Sequence, residues 1–387
     1  MRRLDTSRRI DLAKKWLLNS GIQNIGNDEK TNGSFNAWYD ISKKDYSFIY
    51  PEITGYGITT LLFMTQSLDK DLLIKRAKMA ANWLIKNCQD KCGGFKVRYI
   101  KENEKYRFEN LIYIFDTGII VFALSNLFEI TKDKIYLQSA ERATNFLIKS
   151  QKENGLFYTC YNLGTNQFLD IADKWSTQSG SFHAKVAMGL IKLWKITGNE
   201  IYRKSAKIAC RAALKFQDIS GRFITYRDNK GTHLHPHFYS AEGLLYAGIE
   251  LKDETLIKSA VKACKWALNN QLGDGGLPCI FVDGQFIAYE RADILAQALR
   301  ISTILYSFGK LEERYFKRIE KLKERLYSFQ YLNKKNEKQS GGFMFGFDFD
   351  GKKLEHVNSW CTMFAIQAIE MYIRYLGKRK IDLKLLI

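Results

Sequence analysis

The chain has 387 residues, 46% of them hydrophobic, and carries 60 Lys and Arg against 41 Asp and Glu, a formal charge of +19. Its length exceeds one average domain, yet no Pro-, Gly- or Ser-rich linker interrupts it, so 1–387 is expected to fold as a single domain. The charge raises nucleic acid or an anionic polymer as a partner. No zinc finger, recognition-helix pattern or aromatic RNA motif accompanies it, which argues against nucleic acid and leaves an acidic sugar or polysaccharide open.

The opening run from Met1 to Arg9 is basic and leads into an amphipathic segment instead of a hydrophobic leader. No apolar run reaches about 18 uninterrupted residues, so no membrane insertion is expected. Seven cysteines, an odd number scattered through apolar stretches, read as reduced thiols in a cytoplasmic protein. Cys88 and Cys92 are four apart with no His or second Cys pair at zinc-site spacing, so neither a metal nor another cofactor is expected.

Further along, one element recurs: a Gln, usually three residues, then Gly-x-Phe. It runs Gln23 with Gly33 and Phe35 after a longer insert, Gln89 with Gly93 and Phe95, Gln151 with Gly155 and Phe157, and Gln217 with Gly221 and Phe223. Gln271 with Gly275 and Leu277 follows, then Gln330 with Gly341 and Phe343. Segments before each Gln are amphipathic: from Lys132 to Ser150, Tyr136, Leu137, Ala140, Ala143 and Leu147 form one stripe. Segments after each Gly-x-Phe, such as Thr117 to Leu124 and Trp360 to Ile369, are apolar nearly all round and must be surrounded by protein. Six copies predict an all-α fold, an (α/α)6 toroid of six helical hairpins, with tight turns from inner to outer helix and short β-hairpins in the long return loops. Long loops in a compact fold usually carry function, which puts the site in the pit where inner helices begin.

Inner segments begin near Pro51, Phe115, Trp175, His233, Tyr289 and His356. Glu52, Asp116 and Asp293 stand in first turns, where free N–H groups and the positive helix end favour acidic side chains or ligands. Capping alone explains any one of them, but their recurrence predicts a shared acidic pit. Glu52 and Asp116 begin successive helices, and their repulsion should raise one pKa and leave the other ionised, the division that an acid/base pair requires.

His233, His235 and His237 alternate on what reads as an extended segment, so all three could point one way. Substrate contact or proton transfer outweighs metal binding for them. Tyr239 and Glu242, three apart, share a helix face and with His237 make a second acid/base set. Expected substrate contacts are Trp38, Tyr56, Trp175, His183, His235, Glu290, Arg291, Asp293 and Trp360, because aromatic faces stack on sugar C–H faces while polar groups take the hydroxyls.

Arg142 to Phe157 resembles the QW repeat of terpenoid cyclases and protein prenyltransferase β subunits, with Phe157 where those carry Trp. The general plan is similar to the six-hairpin glycosidases. This resemblance implies the toroid over nearly the whole chain, and fold alone does not license function. His235 to Glu242 resembles the Pro-Gly-His-x-x-Glu element of N-acylglucosamine 2-epimerases, with Tyr239 in the place of their His. The acid cluster of proton-initiated cyclases is absent, Asp348 and Asp350 being a poor substitute, which ranks cyclase and prenyltransferase chemistry last. A carbohydrate-active enzyme comes first, as a glycoside hydrolase using Glu52 and Asp116. A polysaccharide lyase or sugar epimerase using Tyr, His and Glu is the alternative, and a non-catalytic sugar-binding or scaffold toroid competes with both.

Overall fold

The computed structural model describes residues 5–387 except 103–104, 172–173, 288 and 333–335; the basic residues 1–4 lie outside it. Among the described residues twelve α-helices alternate between two concentric rings. They are α1 (Thr6–Asn19), α2 (Pro51–Met64), α3 (Lys70–Trp83), α4 (Ile114–Thr131), α5 (Lys134–Lys149), α6 (Val186–Thr197), α7 (Glu200–Leu214), α8 (Leu234–Leu251), α9 (Glu254–Asn269), α10 (Ala292–Ser307), α11 (Phe316–Tyr327) and α12 (Ser359–Leu376). Even-numbered helices form the inner ring, each packed on the next, with α12 closing onto α2. Odd-numbered helices wrap outside, and the chain is an α/α toroid.

Composition dictates the layering. Every residue of α2 is buried, whereas α5 buries a stripe that includes Tyr136, Ala140, Ala143 and Leu147. By length and apolarity α4 would suit a bilayer, yet 78% of it is buried inside the fold, so its composition answers to the helices around it. Inner-to-outer turns are short because Asp69, Asp133, Asn199 and Asp253 accept first-turn N–H groups of α3, α5, α7 and α9. On the opposite rim α2, α4 and α10 follow Tyr50, Tyr113 and Arg291, which make no side-chain cap. Those helix starts face the pit.

Each repeat Gln acts as a clamp. Its Nε2 donates both to the carbonyl of its own loop glycine and to a carbonyl on the next outer helix. Gln89 bonds Gly93 and Ser139 (both 3.0 Å), Gln151 bonds Gly155 (3.0 Å) and Ser205 (3.1 Å), and Gln217 bonds Gly221 (2.8 Å) and Ser259 (2.9 Å). Gln23 and Gln271 do the same to Arg76 and Arg318. The glycine is required twice over: at Gly93 φ is +104°, and a Cβ would lie 2.5 Å from the Arg142 carbonyl oxygen.

The sixth hairpin is assembled from the two ends of the described chain. α12 packs on α1, Gln330 reaches the Arg9 carbonyl (2.9 Å), and a Cβ on Gly341 would strike the Leu12 carbonyl.

Short antiparallel strands fill the return loops: β1 (Trp38–Asp40), β2 (Asp45–Tyr46), β3 (Tyr99–Glu102), β4 (Lys105–Phe108), β5 (Leu111–Tyr113), β6 (Cys160–Asn162), β7 (Gln167–Leu169), β8 (Thr232–His233), β9 (Ile280–Val282), β10 (Gln285–Ile287), β11 (Phe343–Met344) and β12 (His356–Asn358). The β11-β12-β1-β2 sheet pairs Tyr39 with Val357 and so also joins the two ends. One inner segment departs from expectation. The third does not begin at Trp175 but breaks at Gln178–Gly180, leaving Trp175 on a separate 3-10 turn, and resumes at Ser181.

Gln330→Ala is expected to cost about 1–3 kcal/mol, because two buried carbonyls lose their shared donor where the ring closes. A denaturant midpoint equal to that of the parent would refute the clamp.

Candidate active site

A second hydrogen bond sets the register of the inner helices. In four of the six repeats the backbone N–H of the repeat Phe donates to the fourth residue of an inner helix: Phe35 to Thr54 (3.0 Å), Phe95 to Thr117 (3.2 Å), Phe223 to His237 Nδ1 (3.2 Å) and Phe343 to Thr362 (2.9 Å). Two residues before these acceptors stand Glu52, Phe115, His235 and Trp360, and all four line one cavity of about 170 Å³. Asp116 lies beside them, one residue before Thr117. The expected pit therefore exists, at the N-terminal ends of the inner helices.

Glu52 and Asp116 are both almost fully buried in its wall. Burial pushes Glu52 up to about 7, opposed by the Tyr50 and Tyr56 hydroxyls and by Arg98. Burial and the neighbouring Glu52 raise Asp116 well above the carboxylate range, and its Oδ2 has no hydrogen-bond partner. Both carboxyls are thus raised, where one was expected to stay low. Desolvation is the largest cause at each, the neighbouring Glu52 adds to it at Asp116, and the two carboxyls titrate as a pair.

Across the cavity is a second polar cluster. His235 Nδ1 lies 2.7 Å from Gln297 Oε1 and 3.5 Å from Asp293 Oδ2, two acceptors that fix its proton on Nδ1 and leave Nε2 as a base. Burial lowers His235 to about 4, so the ring is neutral at pH 7. Asp293 sits behind, held to about 2 by Arg291 and His235 against its desolvation, and accepts the Trp360 indole N–H (3.1 Å). Arg291 and Trp175 join the wall, and Tyr239 packs its ring 4.4 Å from His235.

Five expectations are corrected by placement. His233, His235 and His237 do not share a face, because Leu234 opens a helix. His237 is turned away, occupying the slot that threonines fill in other repeats, with Nε2 on the Ala263 carbonyl (3.1 Å). Glu242 lies below the pit, fully buried between Lys185 (2.8 Å) and Arg300 (2.5 Å), a counter-ion within the core. His183 packs on Phe157 and Phe182 and does not line the cavity. Glu290 points outward to Arg325 (2.5 Å).

Tyr56 sits just beneath the cavity, its hydroxyl 3.1 Å from that of Tyr239, and Trp38 stands one ring outward, 6.4 Å from Trp360. Sequence reasoning passed over Tyr50, Arg98 and Lys174, which also line the cavity. For Tyr50 a signal existed: like Tyr113 and Arg291 it immediately precedes an inner helix. Arg98 is fixed by Glu109 (2.9 Å), a pairing with no sequence signature.

No family model and no curated protein sequence matches the chain. Solved structures do. A sugar epimerase from a ruminal bacterium superposes with a TM-score of 0.76 at 14% identity, over 93% of this chain and 98% of its own. Cellobiose 2-epimerase from Spirochaeta thermophila gives 0.75 at 14% over 96% of each, and an unsaturated glucuronyl hydrolase specific for heparin gives 0.69 at 16% over 98% of each. At such identities the likeness establishes the toroid fold.

Raised carboxyl pKa values make the pair's contribution to stability pH-dependent. The folded state holds protons that the unfolded state releases, so stability is full below about 4.5 and falls as pH climbs towards 7 for Glu52. Glu52→Gln removes that loss, and its stability relative to the parent should improve between pH 4.5 and 8 by on the order of 3 kcal/mol. Parallel pH–stability curves for the two proteins would rule this out.

Proposed function

We propose that the protein is a carbohydrate-active enzyme and, within that class, a glycoside hydrolase whose reacting groups are Asp116 and Glu52. One observation carries this reading: two buried carboxyls from adjacent inner helices face the same aromatic-walled cavity, and both are raised. Asp116, its carboxyl raised well above the usual range, protonates the glycosidic oxygen as the C–O bond breaks. Glu52, with Tyr50, Tyr56 and Arg98 favouring its charged form, attacks the anomeric carbon or takes a proton from the attacking water. Trp175 and Trp360 offer ring faces to the sugar. Lys174, Arg98 and Arg291 at the same cavity favour a sugar that bears negative charge. The fold neighbours, whose names describe sugar epimerases and a glucuronyl hydrolase, support the substrate class. Seven unpaired cysteines support a reducing, cytoplasmic setting.

His235 favours a second reading. A neutral imidazole with a free Nε2 facing a protonated carboxyl is a base and an acid across one sugar ring, the equipment for epimerisation or elimination. Product analysis separates the two. Hydrolysis releases a new reducing end without deuterium at carbon, whereas epimerisation in D2O leaves the chain length unchanged and labels the epimerised carbon. Elimination gives an unsaturated product.

For the hydrolase, Asp116→Asn and Glu52→Gln should each lower kcat by about 10²–10⁴-fold while the fold persists. The parent's kcat/KM should rise as pH passes about 7 and fall once Asp116 ionises. Full turnover in either variant removes that residue from the chemistry. If none of a wide panel of oligosaccharides is turned over by the parent, the enzymatic reading fails.

A further inference from the structure

The cavity that holds the carboxyls is small: about 170 Å³, against about 300–1,000 Å³ for a typical small-molecule site. A groove of about 590 Å³ opens next to it, lined by Trp38, Phe48, Asp40, Asp45, Ser47 and Ile100. Aromatic rings connect the two without a gap. Trp360, in the cavity wall, is 6.4 Å from Trp38, Trp38 is 5.2 Å edge-on to Phe48, and Phe48 is 5.8 Å from Tyr50, back in the cavity wall.

The backbone holds this stripe in place. Trp38 lies on β1, paired with Asn358 of β12, and its ring rests on His356 at 4.9 Å. Arg98 of the cavity wall lies over Phe48, at 5.7 Å. Trp38 and Phe48 remain partly exposed, although the fold had buried phenylalanines throughout the repeats. Beside them Asp45 uses one carboxylate oxygen on the Tyr46 backbone N–H and keeps the other for the groove, while Asp40 accepts the Lys43 backbone N–H and pairs with the Lys43 ammonium at 4.0 Å. Rings flanked by polar and charged groups suit a carbohydrate, whose C–H faces stack while its hydroxyls hydrogen-bond.

We propose that this groove binds the further sugar units of an oligosaccharide whose terminal ring occupies the cavity. The substrate is then a chain entered from its end and laid over Trp360, Trp38 and Phe48, and a free monosaccharide fills only part of the site. This rests on the reading of the cavity as a sugar site.

Its test is equilibrium binding of matched monosaccharides and tetrasaccharides, neutral and uronate-containing, to the Glu52→Gln protein, in which binding proceeds without turnover. Adding Trp38→Leu should weaken tetrasaccharide binding by roughly three- to tenfold and leave monosaccharide binding as it was. Phe48→Leu, which keeps an apolar side chain in the same place, provides the same readout if Trp38→Leu unfolds. Tetrasaccharide affinity unchanged by the substitution, or both affinities lowered alike, overturns the groove while leaving the cavity's role standing. Absence of all sugar binding in both the parent and the Glu52→Gln protein overturns the cavity reading, and the groove with it.

Discussion

A single amide group, repeated six times, governs this molecule. A carboxamide offers two donors on one nitrogen, and the repeat Gln spends them on two carbonyls that belong to different hairpins, as Gln217 does with Gly221 and Ser259. Its oxygen is available in the other direction, accepting from Ser139, Ser205 and Ser259 in three of the repeats. Because the bonded glycine sits at positive φ against the neighbouring helix backbone, the loop approaches too closely to slide. The following Phe then donates to the inner helix and fixes where that helix begins. Local hydrogen bonds thus set the angular position of Glu52, Phe115, His235 and Trp360 in the pit.

That register separates structural from chemical histidines. In four inner helices position four accepts the Phe N–H, from Thr54, Thr117, His237 or Thr362, and the choice of histidine in one repeat reflects the same duty. Position two points into the cavity, and it is there that glutamate, phenylalanine, histidine and tryptophan differ from repeat to repeat. His235 and His237, two apart, therefore lie on opposite sides of the problem. An alternating pattern suggested a shared face only under the assumption of a strand, and Pro236 in the first helical turn is compatible with the helix that formed.

The toroid was legible because Gln, Gly and Phe recur wherever the same clamp recurs, and Glu52, Asp116 and Trp360 were legible because each stands in the first turn of the inner helix that follows it. Other parts had no such anchor. The Glu242, Lys185 and Arg300 network unites residues 57 and 58 positions apart, and only the packed ring makes their charges neighbours. A lone glutamate on an apolar helix looks like a reacting group from sequence; fully buried between two cations, it is satisfied. The pairing of α1 with α12 was likewise hidden, since nothing local marks the first helix as partner of the last.

The cavity is chemically two-sided. Phe115, Phe182 and Trp175 form one arc in ring contact, at 5.5 Å in each step, while His235, Arg291, Asp293 and Trp360 form a bonded polar arc. Glu52 and Asp116 lie where the two arcs meet through the Tyr50 side. A pyranose chair placed here can set a C–H face on the aromatics and its hydroxyls on the charges. Burial in that wall raises both carboxyls, so the packing that would orient a sugar also favours the protonated form of Asp116. Orientation and acidity are two consequences of one packing arrangement, and replacing an aromatic in that arc with a polar residue would disturb both at once.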